Sequence, residues 1–227
     1  MERHFDRLMK RTETRPIPSG RITPSEALLF GLILSISGIG YLFAATNALT
    51  AALAAVTLVS YLFLYTPMKR ITWISTIVGG IPGALPPVMG WTASRGDISM
   101  EALVLFGILF FWQMPHFFSL AWMYREDYRK AGFPMLSVVD LTGTRTGIQV
   151  VAHTIFLLLA SIVLTSVAGL GLLYLSGAIV IGLGFLACGI ALARTRDNVA
   201  ARRVFFASLA YLPVLLGTIV LDRLFGF

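Results

Sequence analysis

The chain has 227 residues, of which 57% are hydrophobic and only 13% charged, with a mean hydropathy of +0.82. A soluble domain carries nearer a quarter charged residues, so this composition belongs to the lipid bilayer. A single cysteine, Cys188, excludes an internal disulfide framework, and the net charge of +7 sits beside apolar blocks, as membrane orientation requires and nucleic-acid binding does not.

The chain opens on a charged stretch, Glu2-Arg3-His4-Phe5-Asp6-Arg7-Leu8-Met9-Lys10-Arg11, with no apolar core of a signal peptide. Seven apolar blocks follow, at about 25–45, 48–67, 72–92, 100–123, 147–168, 171–193 and 204–222, each near the roughly 20 residues a helix needs to span. No alternating strand pattern is present, so the predicted fold is all-α, a polytopic transmembrane helix bundle. Sixteen of the eighteen basic residues fall on one set of alternate loops, leaving only Arg95 and Arg223 on the other. The positive-inside rule then predicts a cytoplasmic N-terminus and an external C-terminus.

Two segments on the basic side also carry acids, which orientation alone does not require. In the first, 1–24, a helix through Asp6 and Lys10 would put them on one face, with Arg7, Arg11 and Arg15 nearby, before Pro16 and Pro18 turn the chain. In the second, 124–146, Arg125-Glu126-Asp127-Tyr128-Arg129-Lys130 follows a block directly and breaks at Gly132 and Pro134. Carboxylates with flanking cations suit a magnesium ion shared with a phosphorylated substrate. The alternatives are a basic segment on anionic lipid and solvated surface ion pairs. On the same face, Lys69 and Arg70 could reach phosphate and Tyr65 could offer its ring to a carbocation, or all three could anchor the interface. His116 sits inside a span after Pro115 and among aromatics, as a haem ligand or an interhelical hydrogen-bond partner. For His153, packing is the simpler reading. Gly79-Gly80-Ile81-Pro82-Gly83 reads as a kinked, closely packed helix.

Taken together, Tyr65-Thr66-Pro67-x-Lys69-Arg70, Gly79-Gly80-x-Pro82-Gly83-Ala84-Leu85-Pro86-Pro87, Trp112-Gln113-x-Pro115-His116-Phe117 and Arg125-Glu126-Asp127-Tyr128 resemble the protohaem IX farnesyltransferases, or haem O synthases. These form a branch of the UbiA-type intramembrane aromatic prenyltransferases. The resemblance runs the length of the chain. It implies one transmembrane prenyltransferase domain over 1–227, with 1–24 and 124–146 as cytoplasmic first-motif and second-motif segments of a bacterial inner-membrane protein. It implies Mg²⁺ as cofactor at Asp6, Glu126 and Asp127, and farnesyl diphosphate held by Arg11, Arg15, Tyr65, Lys69, Arg70, Arg129 and Lys130. Haem b is the implied acceptor substrate, its vinyl group taking the farnesyl chain and a water, with His116 handling the porphyrin. Haem A synthase or oxidase assembly proteins are the implied partners. The family pattern has nine helices, an Asn before the first motif and an Asp where His4 stands, so the expectation is a chain lacking the first two helices, with seven spans. The rival readings are another prenyltransferase of the superfamily, acting on a quinone or chlorophyll precursor, and a non-catalytic transporter or haem- or lipid-binding membrane protein.

Overall fold

A computed structural model describes residues 3–225; Glu2, named above in the charged opening stretch, lies outside them. Among the described residues the protein is built from seven long helices and a few short turns. The long ones are α1 (Pro24–Ala45), α2 (Ala48–Met68), α3 (Ser75–Arg95), α4 (Met100–Met123), α5 (Thr144–Val167), α6 (Leu172–Thr195) and α7 (Asn198–Phe225). The seven predicted blocks all became helices. However, six of them, not seven, are long and apolar enough to cross a membrane by that measure alone. The exception is α3, whose glycines, hydroxyls and three internal prolines, Pro82, Pro86 and Pro87, dilute its apolarity. The protein is thus a multi-pass membrane protein, with apolar side chains such as Leu28, Phe30, Ile36 and Phe43 facing outward from α1.

Local chemistry sets the helix ends. Thr23 accepts from Glu26 N while the Glu26 carboxylate accepts from Thr23 N at 2.8 Å, a reciprocal capping box, with Pro24 in the first turn. Asn47 caps α2 through Thr50 N and also donates to Thr92 O of α3 at 2.7 Å, joining two helices at the end opposite the basic segments. There the Asp222 carboxylate of α7 accepts from Gly171 N at 2.7 Å and Tyr174 N at 3.0 Å, closing the first turn of α6. Helix α3 stops at Gly96, whose φ of 81° is left-handed.

The core lies among α4, α5, α6 and α7, where Phe118, Val150, Leu157, Tyr174, Phe185 and Leu215 are buried. One polar network crosses it: Tyr174 donates to Ser161 O, and the Ser161 and Tyr211 hydroxyls lie 2.9 Å apart. By contrast α1 buries none of its residues and touches little but α2. The half of the bundle made by α2, α3 and α4 is looser, and it holds the clefts described next.

Candidate active site

The helix on which Asp6 and Lys10 would share a face does not form. The helical turn ends at Asp6, and residues 7–22 fold back on themselves instead. Thr12 Oγ1 donates to Asp6 O at 2.8 Å, Arg7 Nε to Pro18 O at 2.7 Å and Arg21 to Thr14 O at 2.6 Å. These side-chain bonds satisfy carbonyls that a helix would have used, and Pro16 and Pro18 block any extension. The fold-back leaves Asp6 3.5 Å from Arg15, with its side chain 17% exposed.

The second segment forms a short helix, Arg125–Lys130, that turns back at Gly132 (φ 72°). Phe133 is thereby buried beside Met9, Ala131 and Met135, with Phe5 at a ring separation of 5.4 Å. This small apolar cluster is what brings the two motifs together. Arg11 of the first segment donates to Tyr128 Oη of the second at 3.2 Å and lies 5.0 Å from the Tyr124 ring. From the α2–α3 connection, Arg70 stacks 4.5 Å over Phe5, and Lys69 sits between the Tyr65 and Phe133 rings at 5.6 and 5.3 Å. Asp6, Arg11, Arg15, Tyr65, Lys69 and Arg70 therefore meet Tyr128 at one end of the bundle. Glu126 is exposed and bound to Arg129 at 2.7 Å, while Asp127 is partly buried on the same turn and Lys130 is exposed. Asp140 is used within its own loop: its carboxylate accepts from Thr146 N, Thr146 Oγ1 and Thr142 Oγ1 and so starts α5. Burial pushes its carboxyl up, but those bonds and the Gly143 amide outweigh it and hold the group below the usual carboxylate range.

Two clefts open beneath this charged rim. One, of about 930 Å³, is lined by Asp6, Arg15 and Arg21 above and by Phe30, Tyr61 and Leu62 below. The other, of about 500 Å³, runs between α2, α3 and α4 past Tyr65, Lys69, Pro82, Gln113, Phe117 and Tyr128. Tyr61 lines both. It owes that position to a π-helical turn, Ser60–Tyr65, that widens α2 and is closed by Thr66, whose hydroxyl donates to Tyr61 O at 2.9 Å. Two glycines of α3, Gly79 and Gly83, line the second cleft, while Gly80 lets α3 pack on α4. A Cβ on Gly79 would stand 2.5 Å from the Tyr65 ring, and one on Gly80 or Gly83 would collide with Met114 or Gln113.

His116 faces away from both clefts, toward α7. It stacks between Trp112 and Phe205, at ring separations of 5.3 and 4.8 Å, and its Nδ1 lies 2.8 Å from Ser208 Oγ. His153 Nδ1 lies 2.8 Å from Gln149 O in its own helix. Sequence reading passed over Tyr61 and quoted Gln113 only within its motif, without a role. The available signals were Tyr61 standing one turn before Tyr65 and Gln113 being an amide in an otherwise apolar span.

Among the described residues, no three acids, histidines or cysteines gather as a closed metal cage. The donors present, Asp6 in one segment and Glu126 and Asp127 in the other, are hard oxygens in small number beside cations. That set fits Mg²⁺ bound jointly with phosphate oxygens.

A solved structure of a digeranylgeranylglyceryl phosphate synthase in membranes shares this fold, with a TM-score of 0.77 over 97% of this chain and 77% of that one, at 19% identity. The protoheme IX farnesyltransferase of Solibacter usitatus (strain Ellin6076) is 51% identical over 222 residues, which are 98% of this chain and 76% of the relative. That of Koribacter versatilis (strain Ellin345) is 42% identical over 230 residues, 98% and 74% of the two chains. The model of the UbiA prenyltransferase family matches residues 1–210, and with these relatives it establishes that the chain belongs to that family.

Proposed function

We propose that the chain transfers the farnesyl group of farnesyl diphosphate to the 2-vinyl group of haem b, with addition of water, giving haem o and diphosphate. The observation that carries this reading is the clamp of Arg11 on Tyr128 and Tyr124, which sets two charged segments across the mouth of an apolar cleft. A diphosphate with a long isoprenoid tail needs that combination: cations and acids at a wet rim, and hydrocarbon walls below.

In this reading Arg11, Arg15, Lys69, Arg70, Arg129 and Lys130 bind the diphosphate oxygens and stabilise the charge that gathers on them as the C1–O bond breaks. Asp6, Glu126 and Asp127 would hold Mg²⁺, which when bound supplies further charge neutralisation to the leaving diphosphate. Tyr65, braced against Gly79, presents its ring to the allylic cation. The walls formed by Leu58, Pro82 and Phe117 keep bulk water from that cation. His116 keeps the porphyrin-handling role that its motif implies, which from its place beside Trp112, Phe205 and Ser208 would be exercised on the α7 side of α4 rather than in either cleft. The motif-bearing end, with segments 1–24 and 124–146, faces the cytoplasm of a bacterial inner membrane, and haem A synthase or oxidase assembly proteins are the partners that would take the product.

The test is incubation of the membrane-embedded chain with labelled farnesyl diphosphate and either haem b or 4-hydroxybenzoate, followed by product mass. Haem o is expected; a prenylated benzoate alone would assign the chain to another acceptor. Asp6→Asn and Asp127→Asn should each lower turnover at least ~100-fold, as removal of one charge-stabilising group does. Turnover unchanged in both would end the metal–diphosphate reading.

A further inference from the structure

One amide side chain stands in the cleft wall about 15 Å along α4 from its charged end. Gln113 is only 4% exposed, yet it lines the cleft one turn from Phe117 and two from Leu120. A buried amide in a membrane-crossing helix is costly unless its polar atoms are matched. Its hydrogen bond among the described residues runs from Nε2 to Gly80 O at 2.6 Å. A carbonyl can only accept, so this bond fixes the plane of the amide and which end is nitrogen. Oε1 is then the acceptor left over. It lies against Gly83, where any Cβ would intrude on it, and Gly83 lines the same cleft. The pieces make a fixed acceptor on the cleft wall, seated where only a glycine at 83 leaves the amide oxygen room.

We infer that Gln113 is a positioning residue that holds the water which ends the prenyl transfer, Oε1 accepting one of its O–H bonds. The inference rests on the haem-prenylating reading above. In that reaction the C1–O bond of farnesyl diphosphate breaks with its electron pair going to the diphosphate. The terminal vinyl carbon then gives its π pair to C1, and the positive charge moves to the vinyl carbon attached to the porphyrin ring. A water oxygen gives that carbon a lone pair, and the surplus proton passes to the diphosphate. Without a placed water, the same cation sheds a proton from the adjacent CH₂ and becomes an alkene, lighter than the alcohol by one water. An amide suits this place. A carboxylate there would strip the proton or bond to the cation, whereas a neutral amide oxygen only orients the water.

The ratio of alcohol to alkene in the product reads this role directly, because a general loss of activity or packing lowers both together. Gln113→Met keeps the length and removes the acceptor, and should lower the ratio about tenfold, the effect of one hydrogen bond in a partitioning step. Gly83→Ala keeps the glutamine but pushes on Oε1, and should lower the ratio in the same direction by a few-fold; it carries the test if Gln113→Met does not accumulate in the membrane. A ratio equal to that of the unmodified chain in the variants that accumulate overturns the inference while leaving the farnesyltransferase reading intact. If the unmodified chain gives no prenylated haem, that reading fails and the inference goes with it.

Discussion

Gly79→Ala offers a direct measure of how tightly the cleft is specified. A methyl there would stand 2.5 Å from Tyr65 Cδ2 and 2.6 Å from Cε2, where ordinary contact begins at 3.4 Å. The ring must therefore withdraw by about 1 Å, the scale of misplacement that can cost ~100-fold in a reaction governed by positioning. Its retreat is limited, since the Tyr61 ring centroid lies 5.1 Å away and the Lys69 ammonium 5.6 Å. Overpacking of this kind typically costs 1–3 kcal/mol, about what a shifted ring and a strained neighbour would absorb. Haem o formation by Gly79→Ala should therefore fall ~10- to 100-fold, while thermal unfolding in detergent changes modestly. Tyr65→Leu removes the ring itself, and adding Gly79→Ala to it should cost little more, because the two changes act through one contact. If Gly79→Ala alone retains activity within twofold, or if the losses multiply in the double variant, Tyr65 is not the group through which Gly79 acts.

Three further outcomes are expected. His116→Ala should lose haem transfer while farnesyl diphosphate binding, followed by protection against thermal unfolding, survives; equal loss of both would assign His116 to the packing of α4 on α7. Asp140→Asn should destabilise the start of α5 by about 1 kcal/mol, since it weakens a carboxylate cap. The Asp140 carboxyl titrates lower in the folded chain than its usual value near 3.9, so its contribution is complete above that value and is lost as pH falls through the folded one. The melting temperature of the unmodified chain should therefore drop more steeply below about pH 4 than that of Asp140→Asn, and parallel curves would refute the linkage. Asp222→Ala, which strips the cap from Gly171 and Tyr174, should cost about 1–2 kcal/mol by the same measurement.

The sequence alone determined the membrane class and the helical fold and marked out the two charged segments, because these depend on composition, block length and loop charge, all local quantities. It could not say how α3 tolerates its polar and proline content, which neighbouring helices help to satisfy, as Gln113 does for Gly80 O. It allowed a helix through Asp6, where fold-back hydrogen bonds to residues as far on as Pro18 prevail. Tertiary structure decided which of the motif residues meet. Arg11 finds Tyr128 across 117 positions of chain because Met9, Phe5 and Phe133 bury one another. Gln113 and His116 stand three residues apart in one motif, yet one faces the cleft and the other α7. Helical period can separate such faces but cannot say which of them lines a cavity; the arrangement of α3 and α7 around α4 settles it.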